Sequence, residues 1–101
     1  MSDRFESVFE TKEKIITKKP SMYKVIMLND HYTTMDFVVD TLMEVFGKKE
    51  EEAVIIMLDI HKKGAGLCGV YTYEIAETKI QQVREKAKDS GFPLMCSMEK
   101  E

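Results

Sequence analysis

The chain has 101 residues, 44% hydrophobic and 33% charged, and a net charge of −3. That length holds one domain, and no segment approaches the roughly 20 apolar residues that a membrane span needs. No basic patch marks a nucleic-acid binder, and a mildly acidic surface favours positively charged ligands or partners.

The first residues mix acids and bases, unlike a secretory or transit segment, so a cytoplasmic protein is expected. Cys68 and Cys96 lie far apart in apolar runs, which predicts reduced, buried thiols. Residues 1–19 read as a flexible N-terminal arm. Their charges are scattered, and Phe5, Val8, Phe9, Ile15 and Ile16 build no sustained amphipathic face.

The folded unit, residues 20–101, begins at Pro20. Residues 23–28 form a near-continuous apolar run, a strand buried on both faces or nearly so, ending at Asn29-Asp30. Thr33 is expected to cap the first helix, with Asp36 answering three residues on. Met35, Val38, Val39, Leu42, Met43 and Phe46 give that helix its apolar face, and Gly47 stops it.

A second helix opens on Glu50, Glu51 and Glu52 and closes on Lys62 and Lys63, in keeping with the dipole. Ala53, Val54, Met57, Leu58, Ile60 and His61 fill its apolar side, and Gly64 ends it. Residues 67–71 read as a short strand, with glycines at 66 and 69 suggesting a bulge or a close backbone contact. Thr72 caps a third helix with a stripe of Ile75, Ala76, Ile80, Val83 and Ala87, and Gly91 closes it. Residues 94–98 make the last strand. The order β-α-α-β-α-β predicts an α+β unit: a small, mainly antiparallel three-stranded sheet with three helices packed on it.

Chemistry-bearing residues are few. Asp59 and His61 project about 200° apart on a helix, and neither cysteine sits beside a histidine or at a helix start. There is no phosphate loop, no nucleophile elbow and no metal-ligand spacing, so neither catalysis, a metal nor a cofactor is expected. A metal-dependent hydrolase using Asp30, His31 and His61 remains the weakest reading. His61 falls on an apolar stripe, where a histidine is ordinarily a core residue.

Asn29, Asp30 and His61 do supply the acceptor types that an α-ammonium requires, beside a set of adaptable methionines. That combination suits the free N-terminal residue of a polypeptide. On chemistry alone, an α+β domain without such a site remains the simpler reading.

Five blocks change that balance: P-S-M-Y-K-V-I-M-L-N-D (20–30), Y-T-T-M-D-F-V-V-D (32–40), M-L-D-I-H-K-K-G (57–64), C-G-V-Y-T-Y-E-I-A-E-T-K (68–79) and P-L-M-C-S-M-E-K (93–100). In order and spacing they resemble ClpS, the bacterial adaptor that hands N-degron substrates to a Clp AAA+ unfoldase–protease. The resemblance implies that Asn29 and His61 bond the substrate's α-amino group with help from Asp30. It implies a hydrophobic pocket of Met35, Val38, Met57, Ile60 and Leu94, gated by Met35, that takes Leu, Phe, Tyr or Trp. His31 and Thr33 would form the rim. Glu74 and Lys79 match positions used to dock on the N-terminal domain of a ClpA-type unfoldase, and the arm would serve delivery.

Two departures stand out. His31 replaces an acid common in the family, which puts contacts to the substrate's second residue in doubt. Thr34 replaces a proline that would stiffen the loop. The alternative function is a docking module that modulates the unfoldase without binding N-degrons.

Overall fold

A computed structural model describes residues 20–101; the expected arm, residues 1–19, lies outside the described residues. The elements are β1 (Met22–Leu28), α1 (Met35–Phe46), α2 (Glu50–Lys63), β2 (Ala65–Thr72), α3 (Tyr73–Ser90) and β3 (Met95–Lys100). The three strands form one antiparallel sheet in the order β2-β1-β3, so the expected architecture is the observed one.

The central strand owes its place to its residues. Val25 and Met27 are fully buried beneath the helices, among Leu42, Ala76, Val83 and Ala87. Full burial of each large side chain contributes about 1.5–3 kcal/mol. The alternate residue Ile26 faces the other way, level with Leu67 and Ser97, so β1 is buried more deeply on one face than on the other.

The glycines do what the sequence suggests. Between Val25 and Ile26 the β1–β2 register skips one residue, leaving Cys68 as the extra residue of a bulge. At Gly66 a side chain would collide with Ile60, its Cβ 2.6 Å from Ile60 Cγ1, so only glycine lets α2 lie this close to β2.

Three local expectations are corrected. The cap of α1 is Thr34, whose hydroxyl accepts the Phe37 N–H at 3.2 Å, because Thr33 is drawn into the preceding loop. Ile75 is half exposed: the buried line of α3 runs through Ala76, Val83 and Ala87, and residue 75 sits about 100° off it. On α2 the buried side is narrower than expected. Ala53 and Ile60 are buried and Met57 partly so, whereas Leu58 and His61 are exposed.

Lys86 ties α3 to α1 by ion pairs to Asp40 (2.9 Å) and Glu44 (3.0 Å), with its ammonium 5.1 Å from the Phe37 ring. The Asp40 carboxylate, then that of Glu44, raises the Lys86 pKa. Both acids are largely exposed, so this brace contributes under about 1 kcal/mol and serves mainly to orient α1.

Candidate functional site

Three segments meet where β1 ends. The Asn29 N–H donates to the Gly64 carbonyl at 2.9 Å, extending the β1–β2 pairing by one bond and fastening β1's end to the close of α2. His61 stands in the last turn of that helix, about 40° round from Met57, and so comes to the same place as Asn29. Met35 and Val38, three apart on α1, bring a third wall.

These walls enclose a cavity of about 220 Å³ lined by Asn29, Asp30, His31, Thr33, Met35, Val38, Met57, Ile60 and His61. Nine of the ten residues expected at the site and its rim are therefore together. Leu94 is not among the lining residues; it is buried at the start of β3, with Ile80, Arg84, Met95 and Cys96 around it. The volume lies below the ~300–1,000 Å³ of clefts for drug-sized ligands, and suits one amino-acid residue better than a cofactor.

Asp30 shapes the rim. Its carboxylate accepts the Tyr32 N–H (2.8 Å), the Thr33 N–H (2.6 Å) and the Thr33 hydroxyl (2.7 Å). Partial burial pushes this carboxyl upward, but the Thr33 and Tyr32 hydrogen bonds and the nearby His31 outweigh it. The pKa lies below the ordinary aspartate value. Asp30 is thus first a loop former, with Oδ2 keeping one further acceptor position.

Asn29 and His61 differ. Among the described residues neither side chain makes a hydrogen bond, and both face the cavity. An amide oxygen and an imidazole lone pair stand there above Met57, Ile60 and Val38. Such a set holds a compact donor cation carrying an apolar group.

Among the described residues no three His, Cys, Asp or Glu cluster as a metal site. Both cysteines are free, and the neighbouring Cys96 thiol, then burial, pushes the Cys68 thiol far above its ordinary pKa, the opposite of an activated nucleophile.

Residues 18–97 match the family model of the ATP-dependent Clp protease adaptor protein ClpS. The chain belongs to the ClpS family. Like the ClpS proteins it resembles, it is an adaptor of Clp protease rather than an enzyme. The ClpS adapter protein of Maricaulis maris is 55% identical over 91 residues, covering 90% of this chain and 84% of that one. That of Wolinella succinogenes is 54% identical over 95 residues, covering 92% and 93%. A structure of Agrobacterium tumefaciens ClpS2 bound to L-phenylalaninamide is 38% identical, with a TM-score of 0.79 over 82% of this chain and 100% of that chain.

The two expected ClpS docking positions diverge on α3. Five residues apart, Glu74 and Lys79 project about 140° from each other. Glu74 is exposed in the first turn. Lys79 turns inward, donating its ammonium to the Val45 carbonyl at 2.8 Å in the last turn of α1, where positive charge suits the dipole.

Gly64 has a second part beyond stopping α2: its carbonyl also fixes Asn29. Among the described residues no helix is long and apolar enough to cross a membrane.

Proposed function

We propose that the cavity binds the free N-terminal Leu, Phe, Tyr or Trp of a polypeptide, and that the chain delivers that polypeptide to a ClpA-type Clp unfoldase. The observation that carries this is a pair of acceptors without partners among the described residues, Asn29 and His61, converging on a residue-sized cavity with an apolar floor. L-phenylalaninamide, the ligand of the A. tumefaciens ClpS2, has the same two parts: a free α-amino group and an aromatic side chain.

In this reading the α-ammonium donates to Asn29 Oδ1 and to a ring nitrogen of His61, with the free position on Asp30 Oδ2 taking the third proton directly or through water. The side chain enters between Met35, Val38, Met57 and Ile60, where its burial contributes about 1.5–3 kcal/mol. Leu94 is no wall of the cavity and contributes through the core cluster it shares with Val38 and Ile60. His31 and Thr33 border the emerging backbone. Glu74 offers the unfoldase an exposed carboxylate, and Lys79 acts by fixing the α1–α3 junction. The arm, residues 1–19, serves delivery.

The test is binding of a peptide that begins with Phe, beside its N-acetylated twin. Calorimetry should detect the first and not the second, since acetylation removes both the charge and two donors. Equal binding, or none for all four residues, overturns the reading and leaves a docking module that modulates the unfoldase.

Met35 stands at the mouth with 48% of its surface exposed. As the gate, it excludes side chains branched at Cβ, which cannot slim at that depth. Met35→Ala should therefore narrow the preference for Phe over Ile and Val peptides by about tenfold. An unchanged ratio would remove Met35 from that role.

A further inference from the structure

Apart from the candidate site, α3 and β3 border a groove of about 770 Å³, larger than that cavity. Ile80, Cys96 and Met98 supply its apolar lining, with Glu77, Arg84 and Glu85 at its polar margin. β3 is an outer strand, and among the described residues it pairs only with β1, so the other row of its N–H and C=O groups has no strand partner. The two outer strands are not alike. β2 carries the bulge at Cys68, which spoils a strand for further pairing, whereas β3 keeps an unbroken register from Met95 to Lys100. An even, unpaired edge beside a groove that is polar along α3 and apolar at Ile80, Cys96 and Met98 is a setting for strand addition.

We propose that residues 11–17 of this chain (Thr-Lys-Glu-Lys-Ile-Ile-Thr) occupy that edge as a fourth strand, seating an isoleucine over Ile80 and Met98. Position favours this segment over a second copy. The Glu101 N–H donates to the Met22 carbonyl at 2.8 Å, so the chain enters β1 beside the end of β3. Passing from β1 to the outside of β3 takes two strand spacings, about 10 Å, and residues 18–21 reach about 13 Å. Seven further residues span about 23 Å, enough for the ~20 Å of β3. Because the segment arrives where β3 ends, the two run parallel.

Composition and charge agree. Thr11, Ile15, Ile16 and Thr17 are β-branched, as strands favour. Residues 11–19 hold four lysines (12, 14, 18, 19) and one acid, Glu13. The groove and the strand end present Glu77, Glu85, Glu99 and Glu101 against Arg84 and Lys100. The added strand also covers an edge that would otherwise pair with other chains.

Amide hydrogen exchange on the full chain tests this, beside the variant Ile16→Pro, which removes one donor and lies outside the folded unit. In the unsubstituted chain the amides of residues 13–17 and the outward amides of β3 should exchange at least tenfold slower than in I16P. Arm amides at unstructured rates, with β3 unaffected by I16P, would refute it. Protection of β3 that grows with protein concentration and ignores I16P would instead assign the edge to a second copy and equally refute it. Neither readout involves peptide binding, so the outcome is independent of the reading of the cavity.

Discussion

His61→Ala should weaken binding of a Phe-initiated peptide by about tenfold to a hundredfold while leaving the melting temperature unchanged. The affinity loss follows from the geometry of the cation. An α-ammonium brings three N–H donors into a cavity whose floor is Met57, Ile60 and Val38, and each needs an acceptor once water is displaced. Removing the imidazole leaves one donor unmet at a cost of about 1–3 kcal/mol, and 1.4 kcal/mol is a factor of ten. Stability should hold because His61 is exposed and, among the described residues, makes no hydrogen bond. His61→Asn, which restores an amide acceptor at a shorter reach, should recover part of the loss. Wild-type affinity in H61A, by titration calorimetry, would mean the amine sits elsewhere.

That prediction depends on a residue which the sequence brings to the cavity but misplaces in packing. The periodicity of α2 assigns His61 to the apolar stripe, since it follows Met57 by four and Val54 by seven. The real contact line, Ala53 to Ile60 with Met57 beside it, is narrow because Gly66 lets the helix lie close on β2 along one ridge. Periodicity reports which face is apolar, not how wide a neighbour is, so the histidine's exposure was illegible while its association with Asn29 was not.

Elsewhere the legible parts are those fixed by local physics. Gly47, Gly64 and Gly91 all adopt positive φ at helix ends, as a helix-terminating glycine should. Val38, Leu42 and Phe46 repeat at helical spacing and are buried together. The strand order, by contrast, comes from pairing across the chain, and local patterning reaches no further than a mainly antiparallel sheet. Sequence favours Thr33 over Thr34 as the cap, because Asp36 stands three residues on from Thr33. Only the competing claim of Asp30 on Thr33 decides for Thr34, and that claim depends on the path of the loop.

Asp30 provides the second large effect, because two roles for its carboxylate predict different outcomes. If it acts by shaping the loop, Asp30→Asn should hold affinity within a few fold, while Asp30→Ala loses about tenfold or more. Asparagine keeps an oxygen for the Tyr32 and Thr33 N–H groups, and its amide can meet the Thr33 hydroxyl with the hydroxyl rotated to accept. Alanine abandons all three, each a bond to a charged group worth about 1.5–3 kcal/mol before exposure to water reduces it. If the negative charge instead holds the α-ammonium, both variants should fall together. The pH dependence separates the roles again. The carboxyl's native pKa is lowered, so its contribution to the loop is fully present above about pH 4 and is lost as the pH falls through the native value. The wild-type loop should loosen on acidification while the Asp30→Asn loop does not, as the Thr33 amide signal in NMR would report. Equal loss of affinity in the two variants would return Asp30 to the amine. Near-equal affinity of wild type and Asp30→Asn would leave Asn29 and His61 as the groups that hold it, with Asp30 keeping Thr33 and the rim in place.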